Sequence, residues 1–194
     1  MRFALATGSV VMLLAAFAGP ATADMTVYYR AGRWDAFSGP GGDGKMVCGI
    51  GSTNPTDSSN FSVRFTIGGD SVLFQARKPS WTIPSGTQMP VVMQIGLDAP
   101  WTAQATGDGQ EVQWSLDRTA MQTFDAQFRL ASSMTISFPS GNEPPWAVGL
   151  GGSTAISNAF GRCVTALTQR SQEAATAPTQ PFGQTTPTQP TAPR

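Results

Sequence analysis

Phe61-Ser62-Val63-Arg64-Phe65-Thr66-Ile67 alternates apolar and polar side chains over its whole length. A period of two sends one row of a strand into a core and the other toward water. Gly68-Gly69-Asp70 then reads as a hairpin turn, with Val72 to Ala76 as the returning strand. Upstream, Ser52 to Asn60 is a polar loop and Met46 to Gly51 a short strand carrying Cys48. Ser38 to Gly44 is turn-rich, and Thr26 to Phe37 reads as one aromatic and β-branched strand. Downstream, Trp81 to Ile83, Met89 to Ile95, Trp101 to Ala105 and Val112 to Leu116 continue the series, parted by Pro84, Gly86, Pro100, Gly107 and Gly109. Such regular turn signals predict a mostly β fold, either a β-sandwich or a strongly curved antiparallel sheet.

Two helices interrupt the strands. Asp117 is the expected N-cap of Arg118 to Leu130, with Met121, Phe124 and Phe128 at helical spacing. Ser153 is the expected cap of Thr154 to Gln169, where Ile156, Phe160, Cys163, Val164 and Leu167 share one face. Met134 to Phe138 and Trp146 to Leu150 lie between the helices and read as paired strands joined by Pro139 to Pro145.

The first residues carry an export signal. Arg2 is a short positive region, Val10 to Phe17 is apolar, Gly19-Pro20 breaks the helix, and Ala21-Thr22-Ala23 supplies the small residues read by signal peptidase. Residues 1–23 are therefore expected to be a signal peptide. Its apolar run falls short of the roughly 20 residues of a spanning helix, and no later segment is apolar enough, so no membrane span is expected after its removal. Export places Cys48 and Cys163 in an oxidising space, and with no CxxC or metal spacing they are expected to form one disulfide. The loop so closed would contribute about 5 kcal/mol as an upper figure.

Removing the first 23 of 194 residues leaves 171, enough for one domain with a sizeable core, taken as residues 24–170. From Ser171 the composition shifts to Pro, Thr, Gln and Ala, and Pro178-Thr179-Gln180-Pro181 is echoed by Pro187-Thr188-Gln189-Pro190. Residues 171–194 are expected to be a disordered tail of polyproline II character, inert or serving as a tether.

Without Arg2, 11 basic side chains stand against 12 acidic ones. That balance offers no electrostatic footprint for nucleic acid. The chain has no histidine, which excludes Ser-His-Asp and Cys-His catalysis, HExxH and histidine zinc sets. Gly39 to Gly44 lacks the Walker pattern, and neither a cofactor nor a metal is expected. Acid–base work by two carboxylates survives this exclusion. Asp35, Asp98, Glu111 and Glu143 lie nearest aromatic segments, but no spacing puts two of them on one face. Among the five tryptophans, Trp101 and Trp146 each follow proline, in D-A-P-W-T-A and E-P-P-W-A-V. They are the candidates for a surface that recognises sugars or peptides, because amphipathic rings suit sites that are apolar on one side and wet on the other.

Gly32-Arg33-Trp34, Ile83-Pro84-Ser85-Gly86, the helix-then-strand of Phe124 to Phe138, and Leu150-Gly151-Gly152-Ser153-Thr154-Ala155 followed by Phe160 and Cys163 together resemble exported bacterial proteins of the invasion-associated locus B type. The resemblance covers Trp34 to Cys163. It implies a periplasmic or secreted β-rich domain linked to host-cell invasion or envelope function, with no catalytic residues to carry over. The chain departs from that pattern in having Asp35-Ala36-Phe37 after Trp34 and only two cysteines. The function expected is an exported, non-enzymatic binding or accessory protein of the bacterial cell envelope, whose partner is a protein or envelope component. The alternatives are a carboxylate-dependent enzyme acting on envelope glycans and a structural subunit of a surface or secretion complex.

Overall fold

The computed structural model describes residues 25–176. The predicted signal peptide, residues 1–23, and the tail from residue 177 onward lie outside the described residues. The strands are β1 (Thr26–Ala31), β2 (Trp34–Pro40), β3 (Met46–Thr53), β4 (Asn60–Thr66), β5 (Ser71–Arg77), β6 (Ile83–Ile95), β7 (Trp101–Gly109), β8 (Glu111–Asp117), β9 (Ser133–Ser137) and β10 (Trp146–Gly149). They form a single curled sheet in the order β1-β2-β3-β4-β5-β8-β7-β6-β9-β10, every neighbouring pair antiparallel. Of the two architectures the periodicity allows, the fold is therefore the curved sheet.

The curl brings the two ends of the strand order together. Trp34 Nε1 on β2 donates to Gly149 O on β10 at 3.1 Å. Beside this contact the turn after β10 passes against the end of β1: a Cβ on Gly152 would stand 2.6 Å from Ala31 O, and its φ is +92°. Both facts demand glycine there.

The concave face holds the core, and the alternating residues of the opening stretch supply its centre: Phe61 and Val63 are fully buried. Helix α1 (Arg118–Leu130) starts as predicted, Asp117 Oδ1 accepting from the Ala120 N–H at 2.8 Å. Its Phe124 meets Phe74 edge-on with centroids 4.9 Å apart, and Phe128 meets Trp34 in the same way at 4.9 Å. Helix α2 (Ser153–Thr176) packs on β1, β2 and β3. It buries Ile156 and Ala159, and the predicted disulfide Cys48–Cys163 bolts it to β3 with Cα atoms 6.0 Å apart.

Three details differ from the sequence reading. Thr26 to Phe37 is a hairpin, because Gly32 at φ +61° turns the chain and Arg30 pairs with Asp35 across it at 2.9 Å. Trp81 to Ile83 and Met89 to Ile95 are not separate strands; β6 runs from Ile83 to Ile95, and a register shift between Ile83 and Thr87 absorbs Pro84, which has no N–H to give to the ladder. Helix α2 begins one residue early, Gly152 O accepting from the Ile156 N–H, and continues past Gln169 to Thr176. Ser171-Gln172-Glu173-Ala174-Ala175-Thr176 holds no glycine or proline to stop a helix, so the predicted boundary at Ser171 is corrected.

Candidate functional site

Between the β3–β4 loop and β10 lies a cleft of about 290 Å³. Arg33, from the β1–β2 turn, and Pro144 and Pro145, which lead into β10, line it. Its interior is organised by one carboxylate. Glu143 Oε1 accepts from Lys78 Nζ at 2.7 Å and from Trp146 Nε1 at 2.8 Å, while Oε2 accepts from Trp81 Nε1 at 3.0 Å. Lys78 also reaches Asp57 Oδ2 at 3.5 Å. The side chains of Lys78 and Glu143 are only 18% and 16% exposed. Trp81 and Trp146 stack with centroids 5.2 Å apart, and Phe138 meets Trp81 edge-on at the same separation.

The electrostatics follow from these contacts. Burial alone would raise the Glu143 pKa, but hydrogen bonds from Lys78, Trp146 and Trp81, with the Lys78 charge, outweigh it and hold the carboxyl below its ordinary range. Asp57 is lowered first by the Ser59 hydroxyl and backbone N–H, at 2.7 and 3.0 Å, with a smaller contribution from Lys78. Lys78 is raised, chiefly by its hydrogen bond to Glu143, against a smaller effect of desolvation. Two carboxylates thus face one ammonium in a tryptophan-lined cleft, and all three groups are stabilised in their charged forms.

The predicted binding residues Trp101 and Trp146 share a cross-strand row. Trp101 pairs with Met93, Met93 with Ile136, and Ile136 with Trp146. The row lies on the concave face, with two buried strands between the rings, so they do not form one platform. Trp146 is 9% exposed and its indole N–H is spent on Glu143. Trp101 is half-buried against Phe124 and donates to Gln127 Oε1 at 2.7 Å. The four predicted acids also stay apart. Asp35 is paired with Arg30, Glu111 accepts from Gln75 at 2.6 Å, and Asp98 sits in the exposed β6–β7 turn. Only Glu143 is in the cleft. Its partners Lys78, Asp57 and Trp81 are absent from the sequence-based set, and nothing short-range marks Lys78, which meets Glu143 across 65 residues.

One further feature is backbone. The Leu150 N–H bonds to Ser132 O, toward β9; alternation along the strand then turns Val148 and Trp146 to β9, and Ala147 and Gly149 the other way, into the cleft. Of the groups on that edge, Gly149 O has the Trp34 indole. The Ala147 N–H and C=O and the Gly149 N–H have no partner among the described residues.

Among the described residues no cluster of three or more His, Cys, Asp or Glu could hold a metal ion, and no helix is long and apolar enough to cross a membrane. Comparison with protein-family models, with curated proteins and with solved structures finds no match to this chain.

Proposed function

We propose that this protein is an exported, non-enzymatic binding module of the bacterial cell envelope, and that it recognises a protein or envelope component through the β10 cleft. The observation that carries this reading is the division of labour inside the cleft. Its buried charges are consumed by one another, while strand-edge backbone and the guanidinium of Arg33 remain free along its lining. The disulfide suits an oxidising compartment, as export requires. The resemblance to the invasion-associated locus B type adds host-cell contact as the setting in which such a module would work.

The rival enzyme reading has a specific support, since Asp57 and Glu143 flank the same cleft. A paired-carboxylate glycosidase needs one carboxyl protonated near neutral pH to act as general acid. Here both are driven the other way, and the Glu143 oxygens already accept three donors.

A diazirine-bearing side chain placed at position 147, and separately at the exposed position 97 in the β6–β7 turn, tests the binding surface in cells that export the full chain. Adducts at position 147 in at least tenfold excess over position 97 are expected. Equal labelling at both places the surface elsewhere. Release of fragments from purified peptidoglycan by the wild type, abolished in Glu143→Gln, would overturn the non-enzymatic reading.

A further inference from the structure

The unused groups on the β10 edge form a pattern. They are two N–H donors and one carbonyl acceptor, on alternate residues of one strand and facing one cleft. Alternate residues of a strand lie roughly 6.6 Å apart, which is the repeat of an extended backbone. Edges of this kind are templates for a further strand, and soluble proteins usually blunt them with charge, proline or a covering element. This edge carries no charged residue, its proline pair stops at Pro145, just before the strand begins, and the Trp34 indole covers Gly149 O alone.

We propose that the cleft binds an extended peptide that adds to β10 as a further strand, with a peptide carboxylate meeting Arg33. This deepens the binding-module reading above and rests on it. The occupant follows from the walls. At about 290 Å³ the cleft falls just below the usual range of ligand sites, roughly 300 to 1,000 Å³. Ser52 to Asn54, Asp57 and Ser59 line the same cleft as β10, so an occupant must enter between two walls, which a single extended strand does more readily than the edge of a folded sheet. Charge complementarity selects the carboxylate. Lys78 is committed to Glu143 and Asp57, whereas Arg33 is exposed and has neither an ion pair nor a side-chain hydrogen bond among the described residues. A guanidinium grips a carboxylate through two parallel hydrogen bonds. Specificity would then come from one charged contact at the end of a backbone ladder, the usual division in strand-addition recognition.

The test uses the full chain and a set of acetylated hexapeptides of alternating valine and threonine, with glutamate moved through each position and a matching glutamine series. Binding is read by fluorescence anisotropy. One glutamate register is expected to bind at least tenfold tighter than its glutamine counterpart, and Arg33→Gln removes that preference. N-methylation of successive backbone nitrogens of the best peptide should weaken binding at least tenfold at every second position only, because alternate N–H groups face away from β10. Ala147→Pro, which deletes one of the two donors, should weaken binding at least tenfold with the melting temperature retained. Should that variant unfold, the N-methyl scan decides by itself, since it alters only the ligand. No binding by any peptide at about 1 mM, or a scan without two-residue periodicity, overturns the peptide assignment. A position-147 adduct that proves to be glycan overturns it while leaving the binding module standing; absence of any position-147 adduct removes the binding surface itself.

Discussion

Two aromatic clusters sit in the same curled sheet and are held by different means. Under α1, Trp34, Phe61, Phe74, Trp114, Phe124 and Phe128 pack ring against ring, and all are buried. At the cleft, Trp81, Phe138 and Trp146 make a smaller cluster, and both indoles bond to the one carboxylate of Glu143, itself pinned by Lys78. The first cluster draws its stability from apolar area and is indifferent to protonation. The second depends on a charge, so pH and a single acidic residue govern it. At the cleft a hydrogen-bonded carboxylate fixes two indoles at the margin of the core, where packing alone fixes the rings beneath α1.

The largest effect should come from the first cluster. Phe128→Ala removes a fully buried ring against Trp34 and Phe124 and should cost roughly 3 to 5 kcal/mol by chemical denaturation; a loss under about 1 kcal/mol would mean that the α1 cluster is not the dominant core. Replacing Cys48 and Cys163 together with alanine should cost roughly 2 to 5 kcal/mol and should loosen α2 more than β6 or β9 in hydrogen exchange. Uniform loss of protection would show that α2 and the sheet unfold as one unit.

Glu143→Gln comes next. It takes the charged acceptor from both indoles, leaves Lys78 only the longer contact to Asp57, and should cost roughly 1 to 3 kcal/mol. The contrast between clusters sharpens with pH. The Glu143 carboxyl is held down in the folded state, so its contribution is present above the unfolded value, roughly 4.3, and disappears as pH falls through the lowered folded value. Lys78 is raised, so its contribution is present below roughly 10.4 and disappears as pH rises through the raised value. Wild type should therefore lose more stability than Glu143→Gln between about pH 5 and 2, whereas Phe128→Ala should parallel wild type over that range; matching acid slopes in wild type and Glu143→Gln would break the comparison. The smallest effect is expected from truncation. Residues 171–176 are helical but wholly exposed, and a chain ending at Arg170 should melt within about 3 °C of the full chain, a shift below roughly 1 kcal/mol.

The strands of the first cluster were legible because burial there follows a local period: Phe61, Val63 and Phe65 announce their face within seven residues, and Phe124 and Phe128 announce theirs one helical turn apart. The disulfide was legible from the cysteine count and the export-like pattern of the first residues. The cleft was not, because nothing local links Lys78 to Glu143 or Asp57 to either; their meeting is produced by the curl of the sheet. The Pro-Trp pattern did lead to Trp146 but suggested an exposed ring, whereas the neighbouring Glu143 turns its N–H inward. The end of α2 is hidden for the opposite reason: composition shifts at Ser171, while the residues able to end a helix come only later.

The bond between β3 and α2 also decides how the molecule would carry a mechanical load. Cys48 and Cys163 enclose 115 residues of separation, from β3 to the middle of α2. Tension applied through the two ends could straighten only what lies outside them: β1, β2, the first residues of β3 and the last turns of α2. Everything from β4 to β10 is shielded from the force until the bond is reduced. The same covalent ring means that a protease cutting any loop within it would leave one piece rather than two, with the fragments parting only in the presence of thiol.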